Sequence, residues 1–150
     1  MEIDKELIMV GLNVETKEEV LERMGRLLFE RGYVTDQFIP SVLKREAEYP
    51  TGLPTTPYAI AIPHTDSDKV IEPKIAVATL KETVPFSVMG NSNTEVDVKI
   101  IFMLALDSPG KQLETLKKLT DIFQNKEAVE NFGNVQDVEQ FEKILVSFNS

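Results

Sequence analysis

The chain has 150 residues, long enough to bury a real core as one ordinary domain. Hydrophobic residues make up 42% and charged residues 27%, normal globular usage, and with no cysteine there is neither a disulfide framework nor a thiolate metal site. A formal net charge of -9 argues against a nucleic acid partner, because a polyanion would be repelled, and suits either a cationic protein partner or plain solubility.

The N-terminal stretch has too short an apolar run for a secretory signal, and the longest apolar run, Ile100 to Leu106, is far short of the ~20 residues of a membrane span. A cytoplasmic protein forming one domain over 1–150 is expected. A short strand fits Leu7 to Val10. Thr16 with Glu19 is a capping-box pattern that opens a helix, with Val20, Met24, Leu27 and Leu28 on one apolar face and Gly32 as its stop. Thr35 is a candidate cap for a second helix running to Glu48, with Pro40 weakening its first half. The segment from Pro50 to Pro57 is expected to be irregular, because its prolines and glycine break both kinds of ladder.

Strands follow. Tyr58 to Ile62 is a short apolar run, and Lys74 to Leu80 is rich in β-branched and apolar residues. Val96 to Leu106 alternates and then becomes continuously apolar, the pattern of a strand buried on both faces. A turn lies within 85–93. Pro109 starts a helix with Leu113, Leu116, Leu119 and Phe123 on one face, and Val138, Phe141, Ile144, Leu145 and Phe148 mark a final helix. Helices flanking central strands give an α/β or α+β layered domain.

His64 is the single histidine of the chain. It follows an apolar strand and Pro63, whose locked φ fixes the backbone before it, and the strand would put it at a sheet edge. Thr65, Asp66, Ser67 and Asp68 come next, so the ring is expected to face solvent or a shallow cleft. A neutral imidazole is a nucleophile near neutral pH. One ring nitrogen can attack phosphorus while the other holds its proton against a carbonyl or carboxylate, which fixes the tautomer. A phosphoryl group on the ring then wants hydroxyls, backbone N–H groups or a guanidinium nearby. A lone histidine is a weak catalytic signal by itself, and a residue with no task fits it as well.

Other chemistries have less behind them. One histidine without cysteine cannot build the usual zinc site, and Asp66 and Asp68 have the spacing of a solvated loop. The G-x-S-x-G elbow of a hydrolase, the G-x-x-x-x-G-K-[ST] loop and G-x-G-x-x-G are all missing from the sequence. No metal, nucleotide or other cofactor is expected.

The stretch LKREAEYPTGLPTTPYAIAIPHTD, Leu43 to Asp66, resembles the fructose–mannitol family of phosphotransferase system IIA domains. Those domains carry an Arg-Glu pair, a Thr-Gly and an apolar strand ending in Ile-Pro-His, here Arg45-Glu46, Thr51-Gly52 and Ile62-Pro63-His64. The resemblance continues through EPKIAVATL, PFSVMG, VDVKIIFMLAL and KQLETLKKL, nearly the whole chain. Ile-Pro-His alone is weak, but the ordered set is strong.

The resemblance implies a mixed β-sheet flanked by helices, the mannitol-type EIIA fold. It implies that His64 takes a phosphoryl group on Nε2 from the phosphocarrier HPr and passes it to a IIB component, which serves the membrane IIC component. Arg45 would stabilise the phosphoryl group, a role that suits an always-charged, fork-shaped guanidinium. Thr51 and Gln112 are implied as neighbours of the phosphate. Many mannitol- and fructose-type members have a second histidine where this chain has Gln112; glutamine can donate to a phosphate oxygen from a helix N-terminus but cannot titrate. That departure, with AIAIPHTDSD, is closer to the galactitol-type subgroup. Two other readings stay open: a regulatory IIA-like phosphoprotein that feeds no permease, and a ligand-binding or scaffold domain whose histidine is incidental.

Overall fold

In the computed structural model the protein is described over residues 3–148; Met1, Glu2, Asn149 and Ser150 of the expected 1–150 domain lie outside the described residues. The elements in chain order are β1 (Ile8–Leu12), α1 (Lys17–Glu30), α2 (Phe38–Glu48), β2 (Gly52–Leu53), β3 (Ala59–Ala61), β4 (Lys74–Val88), β5 (Asn91–Ala105), α3 (Pro109–Phe123), α4 (Lys126–Gly133) and α5 (Val138–Ser147).

The helix punctuation works as its residue types predict. The Thr16 side chain accepts the Glu19 N–H at the start of α1, and Gly32, at φ +81°, supplies the left-handed residue after its end. Ser108, Asn125 and Asp137 cap α3, α4 and α5 in the same way, each accepting an N–H from the first turn.

Several expectations change. β1 begins at Ile8, because Leu7 closes a short 3-10 turn. The second helix starts at Phe38, after Gln37, and Pro40 falls in its first turn, where its missing N–H would have had no intrahelical partner anyway. The segment expected to be irregular holds β2: Gly52 and Leu53 fall between Pro50 and Pro54, so the ladder uses only residues whose N–H groups are intact. Gly52 also lies so close to β4 that a Cβ there would stand 2.5 Å from the Ser87 carbonyl oxygen. The helix α4 has no counterpart among the expected elements.

The sheet is mixed. β4 runs parallel to β1 on one side and antiparallel to β5 on the other. β3 lies parallel to β5 and antiparallel to β2, while β2 touches the far end of β4 through Gly52 and Val88. A turn at Met89 and Gly90 joins β4 to β5; both strands run longer than the sequence pattern suggested.

The side-chain period of two divides the strands between two cores. Ala59, Ala61, Ala76 and Ala78 face α1 and α2, together with Phe38, Val42, Met24 and Leu28. Ile60, Ile62, Val77, Ile100 and Phe102 face α3, α4 and α5. There Phe102 packs on Phe123, Phe132 and Phe141 with ring centroids 5.2, 5.8 and 6.0 Å apart, in tilted and edge-on arrangements that aromatic quadrupoles favour. The expected apolar face of α3 is mostly met: Leu119 and Phe123 are buried and Leu116 packs against the core, but Leu113 is 56% exposed. One turn from the helix start, it lies beyond the reach of the core. The result is the α/β architecture expected, helices on both faces of a mixed sheet. Among the described residues no helix is long and apolar enough to cross a membrane.

Candidate functional site

β3 carries the chain from the interior of the sheet to its end. Its neighbours β2 and β5 flank it on both sides, so His64 sits at a strand terminus and not, as expected, at the sheet's edge. The Leu104 N–H donates to the Pro63 carbonyl (3.0 Å), and His64 pairs with Leu104 as a single parallel bridge. Pro63 has no N–H to spend and its φ is fixed, so the residue after it leaves the ladder in a defined direction.

The ring turns back on its own chain. His64 Nδ1 lies 2.8 Å from the Ile62 carbonyl oxygen. A carbonyl can only accept, so Nδ1 carries the proton and Nε2 keeps the lone pair. The ring is half-buried. Burial pushes its pKa below the ordinary 6.5, and the Arg45 charge adds to this; the Ile62 contact and Asp66 pull the other way without cancelling it. The imidazole is therefore neutral at neutral pH.

Two side chains one turn apart on α2 hold the loop after His64. The Ser41 hydroxyl is hydrogen-bonded to the Thr65 hydroxyl, and Arg45 Nη1 lies 3.5 Å from Asp66 Oδ1. Thr65 is buried, whereas Asp66 is 73% exposed and the Arg45 side chain 39%. The guanidinium also lies over the Tyr49 ring, 5.0 Å from its centroid. Its contacts are thus long and open to water, so its donors can turn to an anion at little cost.

Behind Arg45 the next residue points inward. Glu46 is buried, and both of its oxygens accept from Thr51: Oε2 from the backbone N–H (2.8 Å) and Oε1 from the hydroxyl (2.6 Å). Burial raises the Glu46 pKa, and the two Thr51 hydrogen bonds oppose the rise. The site therefore joins a neutral imidazole with a free Nε2 to a solvent-facing guanidinium on a rigid helix. Such a pair can accept and hold a dianionic group. Among the described residues no cluster of histidine and carboxylates is placed to hold a metal ion.

The chain matches the family model of the phosphoenolpyruvate-dependent sugar phosphotransferase system, EIIA 2, over residues 1–147. It belongs to this family. The galactitol-specific EIIA component of Escherichia coli K12 is 30% identical over 120 residues, 80% of this chain and 79% of the relative. The mannitol-specific phosphotransferase enzyme IIA component of Bacillus subtilis is 29% identical over 148 residues, 97% of this chain and 94% of the relative. The fold is that found in a solved complex of enzyme IIAMTL with phosphorylated enzyme IIBMTL from Escherichia coli, with a TM-score of 0.81, 21% identity and coverage of 97% of this chain and 98% of that one.

Within this EIIA domain the structure links Arg45 and His64 through the loop 65–66. Thr51 is turned to Glu46, with its carbonyl accepting the Ile62 N–H (3.3 Å), so it reaches the site through the backbone. Gln112 stands in the first turn of α3, after the strand that carries Leu104, and its N–H is spent on the Ser108 carbonyl. Sequence reasoning did not single out Ser41 or Tyr49. The signal for Ser41 was available: it precedes Arg45 by one helical turn, so it shares a face with it.

Proposed function

We propose that this EIIA protein is the phosphoryl shuttle of a sugar phosphotransferase system, with His64 Nε2 as the atom that is phosphorylated. The observation that carries the reading is the 2.8 Å contact from His64 Nδ1 to the Ile62 carbonyl, which leaves Nε2 unprotonated within electrostatic reach of Arg45. The whole-chain family match supplies the reaction class. The donor is the phosphohistidine of HPr. Nε2 attacks its phosphorus as the bond to the carrier's own ring nitrogen breaks, and the Arg45 guanidinium meets the charge on the equatorial oxygens. His64 then gives the group to a IIB component, which serves the membrane IIC component, so the exchange takes place in the cytoplasm. Galactitol is the sugar we assign, on the likeness to the galactitol-specific relative and on Gln112 in place of a second histidine.

Incubation with phosphoenolpyruvate, enzyme I and HPr should add one acid-labile phosphate, seen by mass spectrometry, that is absent in His64→Ala. Phosphate persisting in that variant overturns the assignment. Adding a galactitol-type IIB and membranes carrying its IIC should yield galactitol phosphate; transfer only to a mannitol-type IIB moves the sugar assignment, and no transfer to any IIB favours a regulatory phosphoprotein.

A further inference from the structure

The buried carboxylate beside Arg45 takes no part in the reaction described above, yet it lies on a continuous path to the imidazole. Glu46 Oε2 and Oε1 receive the Thr51 N–H and hydroxyl at 2.8 and 2.6 Å. The Thr51 carbonyl receives the Ile62 N–H at 3.3 Å, and the Ile62 carbonyl receives His64 Nδ1–H at 2.8 Å. Four residues, from the C-terminal end of α2, the residue before β2 and the segment after β3, are thus tied in series. The first of them, Glu46, follows Arg45 on α2, so the same helical turn presents the guanidinium outward and anchors the scaffold of the ring inward.

We propose that Glu46 is a positioning residue for His64: by gripping Thr51 at two points it sets the Ile62 carbonyl where the imidazole must place its proton, and so fixes which ring nitrogen is nucleophilic. This rests on the phosphohistidine reading above, because only there does the tautomer matter. The effect is one of geometry. The charges that bear on the ring are those of Arg45 and Asp66. Glu46 and Thr51 are both buried, so neither can exchange its partner for bulk water when the other is lost. The Ile62 carbonyl is bracketed by this grip on one side and by Pro63, pinned to β5 through the Leu104 N–H, on the other. Losing one bracket frees the carbonyl to move, and a ring whose proton partner moves divides between two tautomers.

The test reads the tautomer directly, without any phosphotransfer. In the wild-type protein the ¹⁵N shifts of the His64 ring should show a protonated Nδ1 and a bare Nε2. Glu46→Ala and Thr51→Val should both shift these resonances toward a mixture and slow phosphate acceptance by roughly 10-fold or more, as misplacement of reacting groups does. Glu46→Gln should restore both readouts, because its oxygen can accept the Thr51 N–H while its NH₂ donates to the Thr51 hydroxyl. Should Glu46→Ala fail to fold, Thr51→Val and Glu46→Gln carry the test. Folded Thr51→Val with unchanged ring shifts and transfer within twofold of wild type overturns the proposal and leaves Glu46 a structural carboxylate. Loss of activity in Glu46→Gln with an unaltered tautomer overturns it as well. Both outcomes are read in variants at 46 and 51 beside a wild-type protein still phosphorylated on His64, so they are distinct from failure of the parent reading, in which phosphate would persist in His64→Ala.

Discussion

Removing the guanidinium at position 45 should cost catalysis and little stability. In the resting protein Arg45 has two partners: Asp66, at 3.5 Å and 73% exposed, and the ring of Tyr49, at 5.0 Å and itself exposed. An exposed ion pair of that length contributes about 0–1 kcal/mol and an exposed cation–π contact about 0.5–1 kcal/mol, partly offset by the better helix propensity of alanine, so Arg45→Ala should shift unfolding by about 1 kcal/mol. In the proposed role, a phosphoryl group on His64 would offer the same guanidinium far more. One charge-assisted hydrogen bond contributes about 1.5–3 kcal/mol, and at about 1.36 kcal/mol per decade its loss from the transition state slows transfer roughly 10- to 150-fold. Rapid-quench measurement of phosphate passing from phospho-HPr to the protein, and from the protein to IIB, would give both rates. Arg45→Lys should fall between the wild type and Arg45→Ala, because it keeps the charge and loses the planar fork. Unchanged rates in both directions for a folded Arg45→Ala would refute the argument and place Arg45 outside the site.

The pKa of His64 should titrate below 6.5 by NMR, move up toward that value in Arg45→Ala and move further down in Asp66→Asn, since Arg45 lowers it and Asp66 raises it. Phosphate acceptance should be flat above 6.5 and fall as the pH drops through the lowered midpoint; stability should fall over the same window, because the unfolded chain takes up the imidazole proton first. Gly52→Ala places a methyl group 2.5 Å from the Ser87 carbonyl, and urea unfolding should show a loss of about 1–3 kcal/mol from overpacking against backbone. Treatment with a chelator should leave acceptance from preformed phospho-HPr unchanged; loss of acceptance would reveal a metal requirement. Chemical-shift mapping with HPr and with IIB should give footprints that overlap at Thr65 and extend over Val88 and Met89, and separate footprints would defeat a shared docking surface.

What the sequence made legible, and what it did not, divides along physical lines. Caps and stops act within one turn, so Thr16 and Gly32 could be placed from the order of residues alone, although Thr35 is not the cap of α2, which Gln37 precedes directly. β2 could not: its two residues pair with partners on β3 and β4, and nothing local distinguishes them from a turn. α4 was hidden for a related reason. It is short, its stop falls in the same polar stretch that opens α5, and its apolar residues Val129 and Phe132 have meaning only against Phe102 and Phe141. At the site, His64 stood out as the single histidine, but its tautomer depends on a carbonyl two residues back, a contact that needs the turn at Pro63. Glu46 was visible in the sequence only as the second member of the Arg45-Glu46 pair, with no role of its own. Only the position of Thr51, brought in by β2, turns it inward.

The bond lengths around the ring fall into two groups, and a relay explains why. Most contacts that define the imidazole are short, 2.8 Å from Nδ1 to Ile62 and 2.6 and 2.8 Å from Thr51 to the buried Glu46, joined by a longer 3.3 Å link from the Ile62 N–H to the Thr51 carbonyl. Those of the residue assigned to the phosphoryl group are long and wet: 3.5 Å from Arg45 to Asp66 and 5.0 Å to the Tyr49 ring. A residue that receives a group from one protein and yields it to another must not bind that group so well that it is trapped, so any gain at the guanidinium has to be partly offset by a partner given up. Asp66 can be such a partner, because it is near enough to balance the guanidinium when the ring is bare and exposed enough to leave at little cost when a dianion arrives. The ring has the opposite requirement. Its tautomer must be the same before and after every exchange, since a proton on Nε2 would block the next attack, and a rigid, buried chain of hydrogen bonds keeps it so.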